Sequence, residues 1–302
     1  MQLVYRLRAV LGLEPYRKYS RIEFSVGKMN TVRFFYTDTH QSRQEATMHL
    51  VLEALKTIKY EVTRINRRLV LITGDQPPDG ASEPIMSYAT RNETPNVVAV
   101  PDFVFWNWPD VGIMDYTELT ESMIAAGAIP PTDDRLFWIG NPEMHPIRKR
   151  LRDIAREDTR ILATGVRWVK QGRPEGWSSD TLMSTAESNY VSLPDHCRYK
   201  YLIDLEGIGY SARLKVLLFS GRPVFIQERP WREFFFDRLE PYGHFIPVKR
   251  DLSDLSSQLD WAEANPDKCK DIAARAQSLA KEHLTRHAAI AYFRRTILSI
   301  LS

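Results

Sequence analysis

Two places in this 302-residue chain put side chains able to do chemistry at a useful spacing. The first runs Asp204-Leu205-Glu206-Gly207-Ile208-Gly209-Tyr210-Ser211-Ala212-Arg213. An apolar run ends in two glycines, and Leu214, Leu217 and Leu218 follow at the i, i+3, i+4 spacing of a helix facing a core. The pattern predicts a strand, a tight turn and a helix capped by Ser211. Such a turn aims free backbone N–H groups and the positive helix end outward, where an anion settles. Arg213 then falls in the first helical turn, where a cation opposes the dipole unless an anion stands before it. A guanidinium grips a diphosphate through parallel N–H bonds. The alternative is an ordinary helix start with Arg213 in solvent, since Gly-x-Gly alone is a weak signal. The second place is Asp75, after Leu71-Ile72-Thr73-Gly74 and before Gln76-Pro77. A carboxylate at the C-terminal end of a buried strand points where α/β proteins bind ligands. It is a candidate general base. Asp79 is the rival carboxylate, and a turn aspartate bonded to its own backbone is the plain alternative.

The elements that must position these groups alternate between short β-rich runs and helical stretches. This favours an α/β class with parallel sheets. Strands are expected at residues 32–36, 68–73, 97–100, 136–139, 160–164, 199–205, 223–227 and 244–248. The strongest helix runs from Pro266 to about Leu284, with Asn265 as its cap and Ile272, Ala276, Leu279 and Ala280 as its apolar stripe. A last helix, Thr285 to Leu301, repeats the pattern with Ala288, Ala291, Ile297 and Leu298. Residues 74–134 are rich in Pro, Gly and Asn, the kind of segment that lines a cleft. The expected domains are 1–134 and 135–302, with the last helix packing back on the first.

Composition narrows the classes. Hydrophobic residues are 43% and charged residues 26%, as in soluble globular proteins. No run approaches a membrane span, and Met1–Arg8 lacks the apolar core of a secretory signal. Cys197 and Cys269 cannot by themselves make a disulfide framework or a Cys-based zinc site. A cytoplasmic protein is expected. The charge of +3, from 41 basic and 38 acidic residues, argues against a nucleic-acid partner. The surplus gathers in residues 1–33, where Arg6, Arg8, Arg17, Lys18, Arg21, Lys28 and Arg33 face only Glu14 and Glu23. That end suits either an anionic membrane surface or an ordinary solvated face.

Residues 195–283 carry a family resemblance. The passages Asp195-His196-Cys197-Arg198-Tyr199-Lys200-Tyr201-Leu202, Leu218-Phe219-Ser220-Gly221, Trp231-Arg232-Glu233-Phe234-Phe235 and Leu239 to Leu255 resemble glycosyltransferase family 90. That family includes the Rumi-type protein O-glucosyltransferases, the fungal capsule xylosyltransferases and bacterial lipopolysaccharide core transferases. The resemblance implies a GT-B fold, two Rossmann-like domains facing a cleft, with a nucleotide-sugar donor on the C-terminal one. It matches Arg213 to the family's diphosphate-binding arginine, and Glu233 to a carboxylate that accepts hydrogen bonds from ribose. His244 and Lys249 fall in a recurrent stretch and are taken as structural. The island Leu71 to Pro77 matches the strand-end segment whose aspartate is the catalytic base, here Asp75, although the family's frequent asparagine is absent. The island Leu136-Phe137-Trp138-Ile139-Gly140-Asn141-Pro142 resembles an aromatic-Arg-Gly segment. Ile139 stands where animal relatives have arginine, so on the donor side, with Gly140, the chain must use Arg148 in its place or do without that contact. Phe105, Trp106 and Trp108 match an aromatic cluster near the acceptor, where a sugar face stacks unless the rings serve the core.

The resulting expectation is an inverting glycosyltransferase, with a UDP-sugar as donor and a glycan or glycolipid hydroxyl, of lipopolysaccharide or capsule, as acceptor. Gly207, Gly209, Ser211 and Arg213 hold the diphosphate. No Asp-x-Asp pair lies in a suitable loop, so no metal or other cofactor is expected. The alternatives are a protein O-glycosyltransferase and a non-catalytic sugar-nucleotide or glycan binder of the same fold.

Overall fold

Leu69-Val70-Leu71-Ile72 is buried at every position, as a strand covered on both faces must be. The computed structural model describes residues 3–5, 16, 18–26, 32–36, 40–58, 68–91, 94–166 and 190–301. In chain order its first elements are β1 (Leu3–Tyr5), β2 (Arg21–Val26), β3 (Val32–Tyr36), α1 (Gln41–Thr57), β4 (Leu69–Ile72), β5 (Ile85–Ser87), β6 (Thr90–Arg91) and β7 (Val97–Ala99). Then come α2 (Tyr116–Gly127), β8 (Asp133–Gly140), α3 (Pro146–Glu157), β9 (Ile161–Gly165), β10 (Tyr199–Asp204) and α4 (Leu214–Leu217). The chain ends with β11 (Val224–Gln227), β12 (Trp231–Arg232), β13 (Ile246–Val248), α5 (Leu255–Ala264), α6 (Pro266–His283) and α7 (Arg286–Leu301).

The chain forms two compact α/β units, the architecture expected of a GT-B chain. The first comprises Met1–Trp108, Pro230–Phe236 and Thr285–Ser302. Its sheet has the order β1-β3-β2-β4-β5-β7, with β2 antiparallel to both neighbours and β4, β5 and β7 parallel. Helix α1 buries Leu50, Val51, Ala54 and Leu55, and α7 packs on it. The returning segment is tied in by β12, which pairs antiparallel with β6, Trp231 opposite Arg91. The Arg91 guanidinium also lies over the Trp231 ring, 4.7 Å from its centroid.

The second unit comprises Pro109–Arg229 and Asp237–Leu284. Its five strands are all parallel, in the order β13-β11-β10-β8-β9. Leu136, Ile203, Phe225 and Ile246 from the sheet pack with Leu151 of α3, Leu259 of α5 and Ile272 of α6. Each such side chain contributes about 1.5–3 kcal/mol on burial. A parallel sheet aligns the C-terminal ends of its strands, so the turn after Asp204 and the residues after Gln227 share one edge.

Every expected strand is present. The passage between units falls at Trp108/Pro109 rather than 134/135, and packing explains it. Trp106 stacks on His49 of α1 at 4.9 Å, whereas Tyr116 at the start of α2 donates to the Leu284 carbonyl. Helix α2 lies inside the stretch read as loop. Asp115 caps it by accepting from the Thr117 and Glu118 amides. Two smaller expectations are corrected. Asn265 precedes α6 without capping it, since its side chain donates to the Trp261 carbonyl. Helix α7 buries Ala289, Phe293, Ile297 and Ile300, a stripe rotated from the one expected.

Among the described residues, no helix is long and apolar enough to cross a membrane. Of the basic N-terminal set, Arg6, Arg8, Arg17 and Lys28 lie outside the described residues. Arg21 is buried and bonds Glu23 at 2.8 Å, so it serves the sheet.

Candidate functional site

In the first unit, Asp75 stands just beyond β4, on a turn held from below. The Thr73 amide donates to the Ser20 carbonyl, and the Ser20 and Thr73 hydroxyls lie 2.9 Å apart. Gln44 Nε2, from the first turn of α1, donates to both hydroxyl oxygens, at 3.0 and 3.2 Å. Gln44 and Thr73 are fully buried. One residue earlier, Arg43 Nη1 donates to Asp75 Oδ1 at 2.7 Å. The Asp75 side chain is 34% exposed and that of Arg43 16%. The rival Asp79 is 86% exposed and pairs with Arg91, a surface pair of little energetic weight.

In the second unit, Asp204 ends β10 with no exposure at all. Its Oδ1 accepts from Ser211 Oγ and its Oδ2 from Arg229 Nη2, each at 2.6 Å. Glu206, two residues on, is also buried. Its amide donates to Gln227 Oε1 at 3.0 Å, and its carboxylate lies 3.7 Å from Arg250 and 3.9 Å from His145. Arg148 of α3 reaches the same turn, with Nε donating to the Glu206 carbonyl and Nη1 to the Asn141 carbonyl. Burial, and next the nearby Arg213 cation, pull its pKa down to about 10. Arg213 Nη1 donates to the Ile139 carbonyl. Burial lowers its pKa; Asp204 opposes that and Arg229 adds to it. Arg213 Nε and Arg229 Nη1 are both buried and have no hydrogen-bond partner among the described residues. Among the described residues, the guanidiniums of Arg148 and Arg213, both half-buried, and of buried Arg229 thus outnumber the carboxylates of Asp204 and Glu206. Unpaired buried N–H groups and surplus buried charge are costly; an anion would relieve both.

The turn differs from its expected form. Helix α4 is a single turn that begins at Leu214, with Arg213 at its N-cap position, and Ser211 caps nothing because its hydroxyl serves Asp204. The Gly207 amide is spent on the Gly209 carbonyl. Attraction for an anion here rests on guanidiniums, since one helical turn has little dipole. Gly207 has a packing reason: a Cβ on it would lie 3.1 Å from Arg148 Nη2. Gly140 has one too, since a Cβ there would meet Trp138 Cζ2 at 2.7 Å.

Glu233 belongs to the first unit and is buried after β12, not at the start of a helix. Trp106 carries His49 on its ring and Arg286 4.8 Å from its centroid. Trp108 meets the Phe103 edge at 5.0 Å and Arg43 at 5.3 Å. Both rings thus have packing duties, and both stay partly exposed. His244 Nδ1 accepts from the Glu240 amide, a structural role.

The glycosyl transferase family 90 model matches residues 24–299. The chain belongs to glycosyl transferase family 90. It is 28% identical to rat protein O-glucosyltransferase 1 over 80% of this chain and 62% of that protein. It is 27% identical to the O-glucosyltransferase rumi of Drosophila melanogaster over 85% and 64%. The bovine protein O-glucosyltransferase 1 is 30% identical over 67% and 52%. The chain therefore spans between about half and two thirds of the length of these relatives. Among solved structures, Anabaena HepE in complex with UDP and glucose aligns at TM-score 0.40 and 11% identity, covering 72% of this chain and 62% of that one. Sucrose-phosphate synthase from Thermosynechococcus elongatus aligns at TM-score 0.35 and 12% identity, over 62% and 43%.

In this family-90 chain, sequence reasoning missed Arg43, Gln44 and Arg229. Two signals were present. Arg229 follows the C-terminal end of a parallel strand, where ligand sites gather. Arg43 sits in the first turn of α1, where a cation needs an anion as Arg213 was argued to. Gln44 gave no signal, because its partners come from two distant strand ends.

Proposed function

We propose that the chain is a UDP-sugar-dependent, inverting glycosyltransferase with its donor diphosphate on Arg148, Arg213 and the turn 207–211. The observation that carries this is the excess of guanidinium over carboxylate around that turn among the described residues, with the buried atoms Arg213 Nε and Arg229 Nη1 unpaired there. A diphosphate supplies the missing negative charge, and guanidiniums bind it as planar forks. Asp75 is the base. It takes the acceptor hydroxyl proton as that oxygen attacks the anomeric carbon, on the face opposite the departing UDP. The C–O bond to UDP breaks as the new one forms, and the arginines hold the charge that grows on the leaving phosphate, an effect of about 3–4 kcal/mol per well-placed donor. Asp204, the first carboxylate of the nearest Asp-x-Glu pair, has both oxygens engaged by Ser211 and Arg229. This supports turnover without a metal.

The acceptor is a hydroxyl of a glycan or glycolipid, as in lipopolysaccharide or capsule. A protein hydroxyl is the second reading, favoured by the relatives named protein O-glucosyltransferase. The test is UDP release from UDP-glucose and UDP-xylose in EDTA, with water, a glycan or a peptide as acceptor. Wild type turns over in EDTA; Asp75→Asn keeps UDP affinity but loses about 100- to 10,000-fold in kcat. Full activity in Asp75→Asn removes it as the base, and loss of activity in EDTA overturns metal independence.

A further inference from the structure

A carboxylate that is a third exposed turns freely about its last torsion unless something holds it, and a base that turns presents the wrong lone pair much of the time. Asp75 is held by one residue. Arg43 Nη1 bonds Oδ1 at 2.7 Å, and among the described residues Oδ2 has no hydrogen-bond partner.

Arg43 is itself fixed at both ends. Its guanidinium carbon lies 5.0 Å from the Phe103 centroid and 5.3 Å from that of Trp108. Those two rings meet edge to face at 5.0 Å. Its backbone carbonyl accepts from Thr47 Oγ1 at 2.8 Å, so the Thr47 oxygen is left to accept from Tyr88 OH at 2.6 Å. Tyr88 is buried and packs on Phe103 at 5.6 Å. Phenol, hydroxyl, helix turn and aromatic pair thus bracket one guanidinium. An exposed ion pair loses most of its Coulomb gain to the entropy of ordering two side chains; here packing has already ordered the arginine. The other clamps reach only the backbone and hydroxyl of the turn, through Gln44 and Thr73. Nothing else described orients the carboxylate.

We propose that Arg43 is the positioning residue for Asp75, anchoring Oδ1 so that Oδ2 faces the hydroxyl to be deprotonated. This rests on Asp75 being the base. Trp108 and Phe103 then act through Arg43 as its aromatic seat, which gives Trp108 a duty other than stacking on a sugar.

The test measures UDP release from UDP-glucose, with water as acceptor, for Arg43→Gln, Arg43→Lys, Asp75→Asn and the double variant Arg43→Gln/Asp75→Asn, each checked for its melting temperature and UDP affinity. Arg43→Gln is expected to lower kcat by about 100-fold with the KM for UDP-glucose and the UDP affinity within about twofold. Arg43→Lys recovers part of the loss, because a cation returns without the planar fork. The double variant is no slower than Asp75→Asn, because a residue that acts only through the carboxylate has nothing left to position. Full kcat in Arg43→Gln, or a double variant slower than Asp75→Asn by the Arg43→Gln factor, overturns the proposal while Asp75 remains the base. Full activity in Asp75→Asn is a separate outcome that removes the base and the proposal with it. If Arg43→Gln does not fold, Arg43→Lys carries the test in both backgrounds.

Discussion

At Asp75 the carboxylate meets one described guanidinium, that of Arg43, and both side chains are partly exposed. Around Arg213 three guanidiniums share two buried carboxylates, and the tightest pair, Arg229 with Asp204, is only 2% and 0% exposed. Both neighbourhoods end a buried strand of an α/β unit, yet they are finished to different degrees. At the first, Asp75 Oδ2 has no hydrogen-bond partner among the described residues, so a ligand there need bring only a polar hydrogen. The second, partly shielded from water, holds more described guanidiniums than carboxylates. Coulomb interactions grow several-fold on leaving bulk water, so a surplus of guanidinium there favours an anionic ligand. On the proposed reading the second unit supplies binding energy and the first proton chemistry.

The largest expected effect breaks or keeps that division. Arg213→Ala should weaken UDP binding by about 100-fold or more, the worth of a desolvated guanidinium–phosphate contact, whereas Asp75→Asn should leave it within about twofold. Titration calorimetry with UDP reads both. If the two variants lose affinity alike, the two neighbourhoods do not divide the labour. A second effect follows from mass action. Inorganic pyrophosphate at 100 times its Kd should stabilise the folded protein by about 2.7 kcal/mol, a rise in melting temperature of several degrees. The rise should persist in Asp75→Asn and vanish in Arg213→Ala. No shift in wild type would mean that the unpaired N–H groups do not hold a diphosphate.

What could be read from the sequence divides along the same line. The strands, the α/β class and the places of Asp75 and Arg213 beyond strand ends were legible because each is a local pattern, an apolar run followed by a turn. The seating of Arg213 was not. Ser211 reads as a helix cap by position, but Asp204, seven residues back, takes its hydroxyl, and the helix shrinks to one turn. Arg43 lies 32 residues from its partner, and no periodicity links the two. Helix α2 was hidden because Pro, Gly and Asn crowd its flanks, although Asp115 followed by Glu118 is a sound start signal. Local chemistry located the groups; what each touches was decided by strand ends that meet only in the folded sheet.

A smaller effect tests the packing of the second neighbourhood. Gly207→Ala puts a methyl 3.1 Å from Arg148 Nη2, near the end of a flexible side chain that can move a few tenths of an ångström. The KM for UDP-glucose should rise about 3- to 10-fold with kcat within twofold, because the shift weakens ground and transition states together. A fall in kcat at constant KM would mean that Arg148 acts on the leaving group alone.

The smallest effect reads the positive surplus from inside the core. His196 is buried beside Phe137, its ring 5.0 Å from that neighbour. Burial, and next the Arg213 cation, pull its pKa down to about 3, while a bond to the Val191 backbone works the other way. An unfolded histidine titrates near 6.5, so between these values the unfolded chain binds the extra proton and acid destabilises the fold. The contribution of His196 is fully present above pH 6.5 and is lost as pH falls from there toward 3. From pH 7 to 6 this amounts to about 0.7 kcal/mol, or about 2 °C in melting temperature. His196→Phe should remove that slope whatever it does to the absolute stability, and Arg213→Ala should shift it only slightly, since burial is the larger cause. If Arg213→Ala removed the slope and His196→Phe left it, a different titrating group coupled to the Arg213 cation would carry the pH dependence, and the histidine would have no part in it.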